Sequence, residues 1–220
     1  MSSAAGRTVL IAGATSASGR VAARTLAAAG AHVVAVGRDP QKLASLTEEG
    51  PAIATELCDL GDESAVVDLA ARVGQVDGIL HLVGGWRGGG GLAGQSDEDY
   101  RFLEGSLTAL RHVTRAFDGG LRASELARLA IVSSTAVARP LAGGANYAAV
   151  KAASEAWARA VAQGFAKAAR DAGEPLRAAS VIFRVKSLEG LEHRLADAYV
   201  GLWNADAATV NDTIVELAAT

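Results

Sequence analysis

The sequence predicts an α/β fold, a doubly wound parallel sheet of about seven strands with helices on both faces. Two observations carry this expectation. Short apolar runs alternate with segments of helical periodicity along the chain, the pattern of parallel strands joined by crossover helices. The first run, Val9-Leu10-Ile11-Ala12, leads through a turn of small residues into an Ala-rich helix, as a buried strand feeding a crossover does.

Strands are expected near residues 8–13, 32–36, 52–57, 78–83, 129–133, 177–183 and 213–218. Helices fit 18–29, 40–48, 62–73, 97–117, 145–171 and 191–203. Asp39 before Pro40 is a good N-cap followed by a good first helical residue. No linker or solenoid-like repeat interrupts the pattern, so residues 1–220 are expected to form a single domain.

Half of the 220 residues are apolar, enough for one substantial core. A formal charge of -3 gives no basic footprint for nucleic acid. Cys58 is the one cysteine; it reads as a small buried hydrophobe and fits a reducing cytoplasm. No apolar leader precedes the first strand and no stretch is long enough to span a bilayer, so a soluble, cytoplasmic protein without a membrane partner is expected. His32, His112 and His193 have no companions at metal-ligand spacing, and no metal is expected.

Tyr147 and Lys151 stand one helical turn apart, thirteen residues after Ser134. An ammonium on the same helix face favours a tyrosinate; at about 4 Å and an effective dielectric near 20 the attraction is roughly 4 kcal/mol. A tyrosine so placed exchanges protons with a hydroxyl or carbonyl near neutrality. Near the N-terminus, Gly13-Ala14-Thr15-Ser16-Ala17-Ser18-Gly19 lies between strand and helix, where small side chains let backbone N–H groups approach a pyrophosphate.

The cradle and the Ser/Tyr/Lys trio, in this order and spacing, resemble the short-chain dehydrogenase/reductase family in its compact form, over about Thr8 to Ala218. The resemblance implies a Rossmann-type sheet. It also implies an NAD(P)-dependent oxidoreductase, a ketoreductase in type, acting on a small-molecule carbonyl or alcohol. Ser134 would hold the substrate oxygen, Tyr147 would donate or accept the proton, and Lys151 would bind the nicotinamide ribose. The family's glycine motif falls on Ala12 to Gly19, so Gly13, Thr15, Ser16, Ala17, Ser18 and Gly19 are the expected cofactor contacts there. Asp59 and Leu60 follow the third strand on the adenine side, and Val83 and Gly84 follow the fourth.

Three positions depart from the family pattern. His81 replaces the first Asn of the motif after the fourth strand; Ser106 aligns with the Asn that completes the catalytic tetrad; Phe183-Arg184 replaces Pro-Gly at the sixth strand. The second change puts the family's proton relay in doubt. A catalytically weak or inactive NADP-binding sensor or partner subunit is therefore the alternative expectation.

NADP(H) is favoured over NAD(H). The second strand ends in Gly37-Arg38, where an NAD-type site would place an acid on the ribose hydroxyl, and a guanidinium grips a 2′-phosphate with a fork of donors. The Gly84-to-Gly91 run reads as a mobile loop, and its Trp86 as either a substrate-stacking or a loop-packing side chain. The segment after the sixth strand is short, which implies an open pocket. Ala148, Ala149, Ala152, Ala153, Ala156 and Ala160 permit close packing of the helix that bears the catalytic pair, and in the family that helix builds a homodimer or homotetramer. Trp157 on that helix is expected in the core or an interface.

Overall fold

A computed structural model describes residues 4–218. Seven strands form one sheet: β1 (Thr8–Ala12), β2 (His32–Gly37), β3 (Ile53–Leu57), β4 (Gly78–His81), β5 (Ala127–Ser134), β6 (Ala178–Val185) and β7 (Thr213–Leu217). Their spatial order is β3-β2-β1-β4-β5-β6-β7, with every neighbouring pair parallel. The order reverses direction between β1 and β4, and at such a switch point the carboxyl ends of the strands leave a crevice for a ligand.

The connecting helices are α1 (Ala17–Ala28), α2 (Pro40–Thr47), α3 (Glu63–Val73), α4 (Asp97–Ala123), α5 (Ala145–Ala172) and α6 (Glu192–Gly201). A short α7 (Ala207–Val210) precedes β7 and was not expected from the sequence. Alternation along β1 shows why both faces are covered. Val9 and Ile11 join Leu26 of α1, Leu46 of α2 and Leu195 of α6 on one side; Leu10 and Ala12 join Leu69 of α3, Val113 of α4 and Phe165 of α5 on the other.

Local chemistry sets the ends. Asp39 Oδ1 accepts from the N–H groups of Gln41 and Lys42 at 3.0 and 3.1 Å, with Pro40 at the first helical position, as expected. Strand β4 ends at His81, two residues earlier than expected, whereas β6 continues through Phe183 and Arg184 to Val185. The absence of proline at that place lets the β5 and β7 ladders continue. Trp157 lies between α4 and α5, its indole N–H donating to Thr114 Oγ1 at 2.8 Å, which agrees with a packing role. Arg128 is fully buried in β5 and makes no ion pair among the described residues; its guanidinium donates to the carbonyls of Ala127, Arg177, Leu202 and Ala205 and pins the α6–α7 connection to the sheet.

Candidate active site

A cavity of about 1000 Å³ opens at the carboxyl ends of β4, β5 and β6. Of the expected site residues, Ser16, Ser18, Val83, Gly84, Ser134, Tyr147 and Lys151 line it. Gly13, Thr15, Ala17 and Gly19 belong to the turn that builds its α1 end. Gly37 and Arg38 lie at the end of β2 beside Cys58, Asp59 and Leu60 at the end of β3, outside the cavity, with the Cys58 N–H donating to the Gly37 carbonyl at 3.0 Å.

The turn after β1 has little freedom. Gly13 adopts φ +87°, and a Cβ there would lie 3.0 Å from the Leu82 carbonyl group and Val83 N. A Cβ on Gly19 would lie 2.6 Å from the Ala14 backbone. Ser16 is the N-cap of α1: its hydroxyl donates to the Gly13 carbonyl at 2.9 Å and accepts from the Gly19 N–H at 3.1 Å. The Ser16 hydroxyl proton is thus committed to the turn. The N–H groups of Ala17 and Ser18 remain as first-turn donors at the positive end of α1.

Ser134 ends β5 and is buried, its Oγ accepting from the Ala136 N–H at 3.1 Å. Tyr147 and Lys151 come from the first two turns of α5. The Lys151 ammonium donates to the Val132 carbonyl at 2.8 Å and lies 5.8 Å from the centre of the Tyr147 ring. Burial lowers the Lys151 pKa to about 8, against the opposing pull of Glu155 one turn further on. Burial also raises the Tyr147 pKa, with the Ser134 hydroxyl opposing it. The structure therefore corrects the expected tyrosinate: Tyr147 is a phenol that can give a proton, because desolvation outweighs the Ser134 hydrogen bond that opposes it.

His81 and Ser106 meet inside this wall. His81 is only 5% exposed, and its Nε2 lies 3.2 Å from the Ser106 carbonyl oxygen, which can only accept. Nε2 therefore carries the proton, leaving Nδ1 a buried acceptor without a partner among the described residues. Burial first, and Lys151 second, lower its pKa to about 3, so the ring is neutral across the physiological range. The Ser106 hydroxyl donates to the Leu103 carbonyl at 2.7 Å, along its own helix. The carbonyl and the hydroxyl of Ser106 are thus each engaged inside the wall.

Arg184, in the strand extension of β6, holds Glu155 of α5 with a two-pronged contact: Nε to Oε1 at 2.8 Å and Nη2 to Oε2 at 2.7 Å. The Ser133 hydroxyl donates to the same Oε1 at 2.6 Å. Burial alone would raise the Glu155 pKa, but the Arg184 fork and the Ser133 hydroxyl bring it below the usual carboxylate value. The cluster ties β5, β6 and α5 together beside Ser134 and one turn beyond Lys151. It was not found from the sequence because strand and helix meet only in the fold.

The glycine-rich loop, expected to be mobile, is hydrogen-bonded to the β5–α5 connection. The Gly89 N–H donates to the Gly143 carbonyl at 2.7 Å. Gln95 Nε2 donates to the carbonyls of Gly89, Gly91 and Gly143 at 3.0, 3.2 and 3.1 Å, and its Oε1 accepts from the Asn146 N–H at 3.1 Å. Gln95 thus joins the loop to the turn of α5 that carries Tyr147.

At the β2 end, Arg38 is exposed and makes no hydrogen bond or ion pair with the described residues, including Asp39, whose carboxylate caps α2 and pairs with Lys42 at 3.5 Å. A Cβ on Gly37 would fall 2.7 Å from Thr15 Cγ2, so Thr15 and Gly37 pack together below Arg38. The Asp59 carboxylate accepts from the Gly61 N–H at 3.0 Å. Leu60 is buried in the core and its carbonyl lies 3.1 Å from His112 Nδ1, so its side chain is withdrawn from ligand contact. These residues fit an anionic dinucleotide: no carboxylate lines the cavity, a helix N-terminus stands at one end, and Lys151 stands at the other. Among the described residues no group of three or more His, Cys, Asp or Glu side chains could hold a metal ion, and no helix is long and apolar enough to cross a membrane.

The parallel sheet, the small-residue turn into α1 and the Ser/Tyr/Lys trio at the strand ends define a nucleotide-binding α/β protein. A model of the short chain dehydrogenase family matches residues 7–169, and the chain belongs to that family. It is 43% identical over 77 residues to L-xylulose reductase of Mesocricetus auratus, covering 35% of this chain and 32% of that one. It is 30% identical over 157 residues to 2,3-dihydro-2,3-dihydroxybenzoate dehydrogenase of Bacillus subtilis, covering 67% of this chain and 60% of the other. These matches span less than two thirds of the relatives' lengths. A metagenomic short-chain oxidoreductase solved in complex with NADP has the same fold, with a TM-score of 0.83, 24% identity and 100% of both chains covered.

Proposed function

We propose that this chain is an NADP(H)-dependent oxidoreductase that interconverts a carbonyl and an alcohol. The observation that carries the reading is the convergence of Ser134, Tyr147 and Lys151 on one cavity that also reaches the N-terminus of α1. A dihydronicotinamide bound there would supply the hydride for the carbonyl carbon. Ser134 orients the substrate oxygen and Tyr147 gives it the proton as the carbonyl becomes an alkoxide. Lys151 would hold the cofactor ribose and would keep positive charge beside the phenolate that remains, where its field counts most.

Arg38 supports NADP over NAD, being an unpaired guanidinium at the strand end with no acid in the competing place. The metagenomic neighbour was also solved with NADP. Residues 1–220 act on this reading as one dinucleotide-binding unit that includes the substrate site. The chain works in the reducing cytoplasm, in keeping with its lone free thiol, as a homodimer or homotetramer. Exposed Ala149, Ala152, Ala153, Ala156 and Ala160 on α5 offer a smooth face for the copy.

The engagement of both Ser106 polar groups favours a second reading, an NADP-binding sensor or partner subunit with weak or no catalysis. Incubating the purified protein with NADPH, NADH and a panel of aldehydes and ketones separates the two. Carbonyl-dependent oxidation of NADPH supports the enzyme; tight NADPH binding without turnover of any carbonyl supports the sensor.

A further inference from the structure

The outer half of the cavity is a built surface rather than a loose rim. The Gly89–Gly143 hydrogen bond and the Gln95 amide hold the glycine loop against the β5–α5 connection. On this held frame Trp86 is 61% exposed and Leu141 72% exposed, both lining the cavity with apolar surface that no other part of the chain covers. Exposed indole and leucyl groups on a fixed frame are the means by which a site takes a flat apolar body.

Charge on this surface is one-sided. The charged side chains lining the cavity are Arg139, Lys151 and Lys186, with no Asp or Glu among the lining residues, although the whole chain carries net charge -3. Lys151 is half-buried at the inner end and bonded to Val132. Arg139 belongs to the β5–α5 connection, five residues after Ser134 and two before Leu141, and has no hydrogen bond or ion pair with the described residues. Arg87 of the glycine loop is by contrast satisfied, lying 4.0 Å over the Phe102 ring and 3.9 Å from Asp99. An unpaired planar fork of donors next to apolar surface matches a carboxylate in geometry and charge. The cofactor phosphates do not account for Arg139, since the anion-binding end of α1 belongs to the turn after β1, a different wall of the cavity.

We propose that the substrate is a carbonyl compound with a flat apolar body and a carboxylate, the carboxylate taken by Arg139 and the body by Trp86 and Leu141. The inference rests on the reading of this chain as a carbonyl oxidoreductase and adds the class of compound it reduces. The carbonyl sits at Ser134 and Tyr147 while the anionic end points to the rim, where the open side leaves room for its hydration.

Aromatic keto acids whose keto group is remote from the carboxylate, and their methyl esters, test this, because each pair keeps the same reacting carbonyl and differs in the charge and one methyl group. In the wild type, kcat/KM with NADPH is expected to be at least about tenfold higher for the acids, a step of 1.4 kcal/mol in the barrier. Arg139→Ala should remove that preference by raising KM for the acids, with ester turnover within about twofold and Arg139→Lys restoring part of it. Equal kcat/KM for acids and esters in the wild type, or loss of the preference with Lys186→Ala but not with Arg139→Ala, overturns the assignment. Should neither acids nor esters turn over, the oxidoreductase reading fails separately. The same pairs are then titrated into the NADP-loaded protein by calorimetry: acid-selective binding that Arg139→Ala abolishes supports the anion site, and binding without selectivity, or none, rejects it.

Discussion

The inner and outer ends of the cavity are held together differently. At the inner end Lys151 is bonded to the β5 backbone, Glu155 is clamped by Arg184 and Ser133, and His81 is fixed on Ser106; at the outer end Trp86, Arg139 and Leu141 are exposed on a frame of backbone hydrogen bonds. Proton transfer needs fixed donors, and a desolvated ammonium keeps its lowered pKa only while it stays out of water. Substrate choice needs surface that a ligand can cover. Substitutions at the inner end should therefore change the chemistry or the fold, and substitutions outside it should change which molecules bind.

The largest effect is expected at Tyr147. Tyr147→Phe keeps the ring and removes the proton donor, so turnover should fall by about 10²–10⁴ while NADPH affinity stays within a few-fold. Retention of most of the rate, measured against the wild type with the best carbonyl, would remove Tyr147 from the mechanism.

Next comes the Arg184–Glu155 clamp. Arg184→Ala leaves a carboxylate whose side chain is only 7% exposed without its partner, and unfolding free energy should drop by about 3 kcal/mol. Paired removal, Arg184→Met with Glu155→Leu, should lose less. Denaturant titration of the single and double variants measures this, and a single variant as stable as the wild type would show that the pair holds nothing in place.

Outside the cavity, on the adenosine side, the expected change is smaller and selective. Arg38→Ala should weaken NADPH by about tenfold, the scale of one charge-assisted contact, and NADH far less. Equal losses for both cofactors would withdraw the NADP assignment. Gly37→Asp is a poor companion variant, because its Cβ would press on Thr15 before its carboxylate could reach a ribose.

The mildest test is pH. A Lys151 pKa lowered to about 8 means the ammonium is intact below that pH and is lost above it, so kcat/KM should decline on the alkaline side near pH 8. The same shift costs stability while the buried group is charged, a cost relieved as pH rises from about 8 toward the unfolded value near 10.4. Lys151→Arg keeps its charge throughout and should push the decline upward, whatever its absolute rate. An unmoved decline would assign it to another group.

How much of this was legible in the sequence depends on the range of the interaction. The strand and helix pattern, the Asp39 cap, the glycine turn and the Tyr147–Lys151 spacing are local or nearly so, and a period of two or of 3.6 residues reports them without a partner. The line of seven parallel strands followed from the same alternation. Tertiary structure decided the rest. Burial reversed the expected direction of the Tyr147 pKa, because desolvation depends on what packs around a group and not on which residue stands four places away. Folding brought Arg184 to Glu155, His81 to Ser106 and Gln95 to Gly143 across separations of 25 to 48 residues. It turned a glycine-rich stretch that reads as slack into a fastened wall, since backbone hydrogen bonds between two loops leave no trace in side-chain pattern.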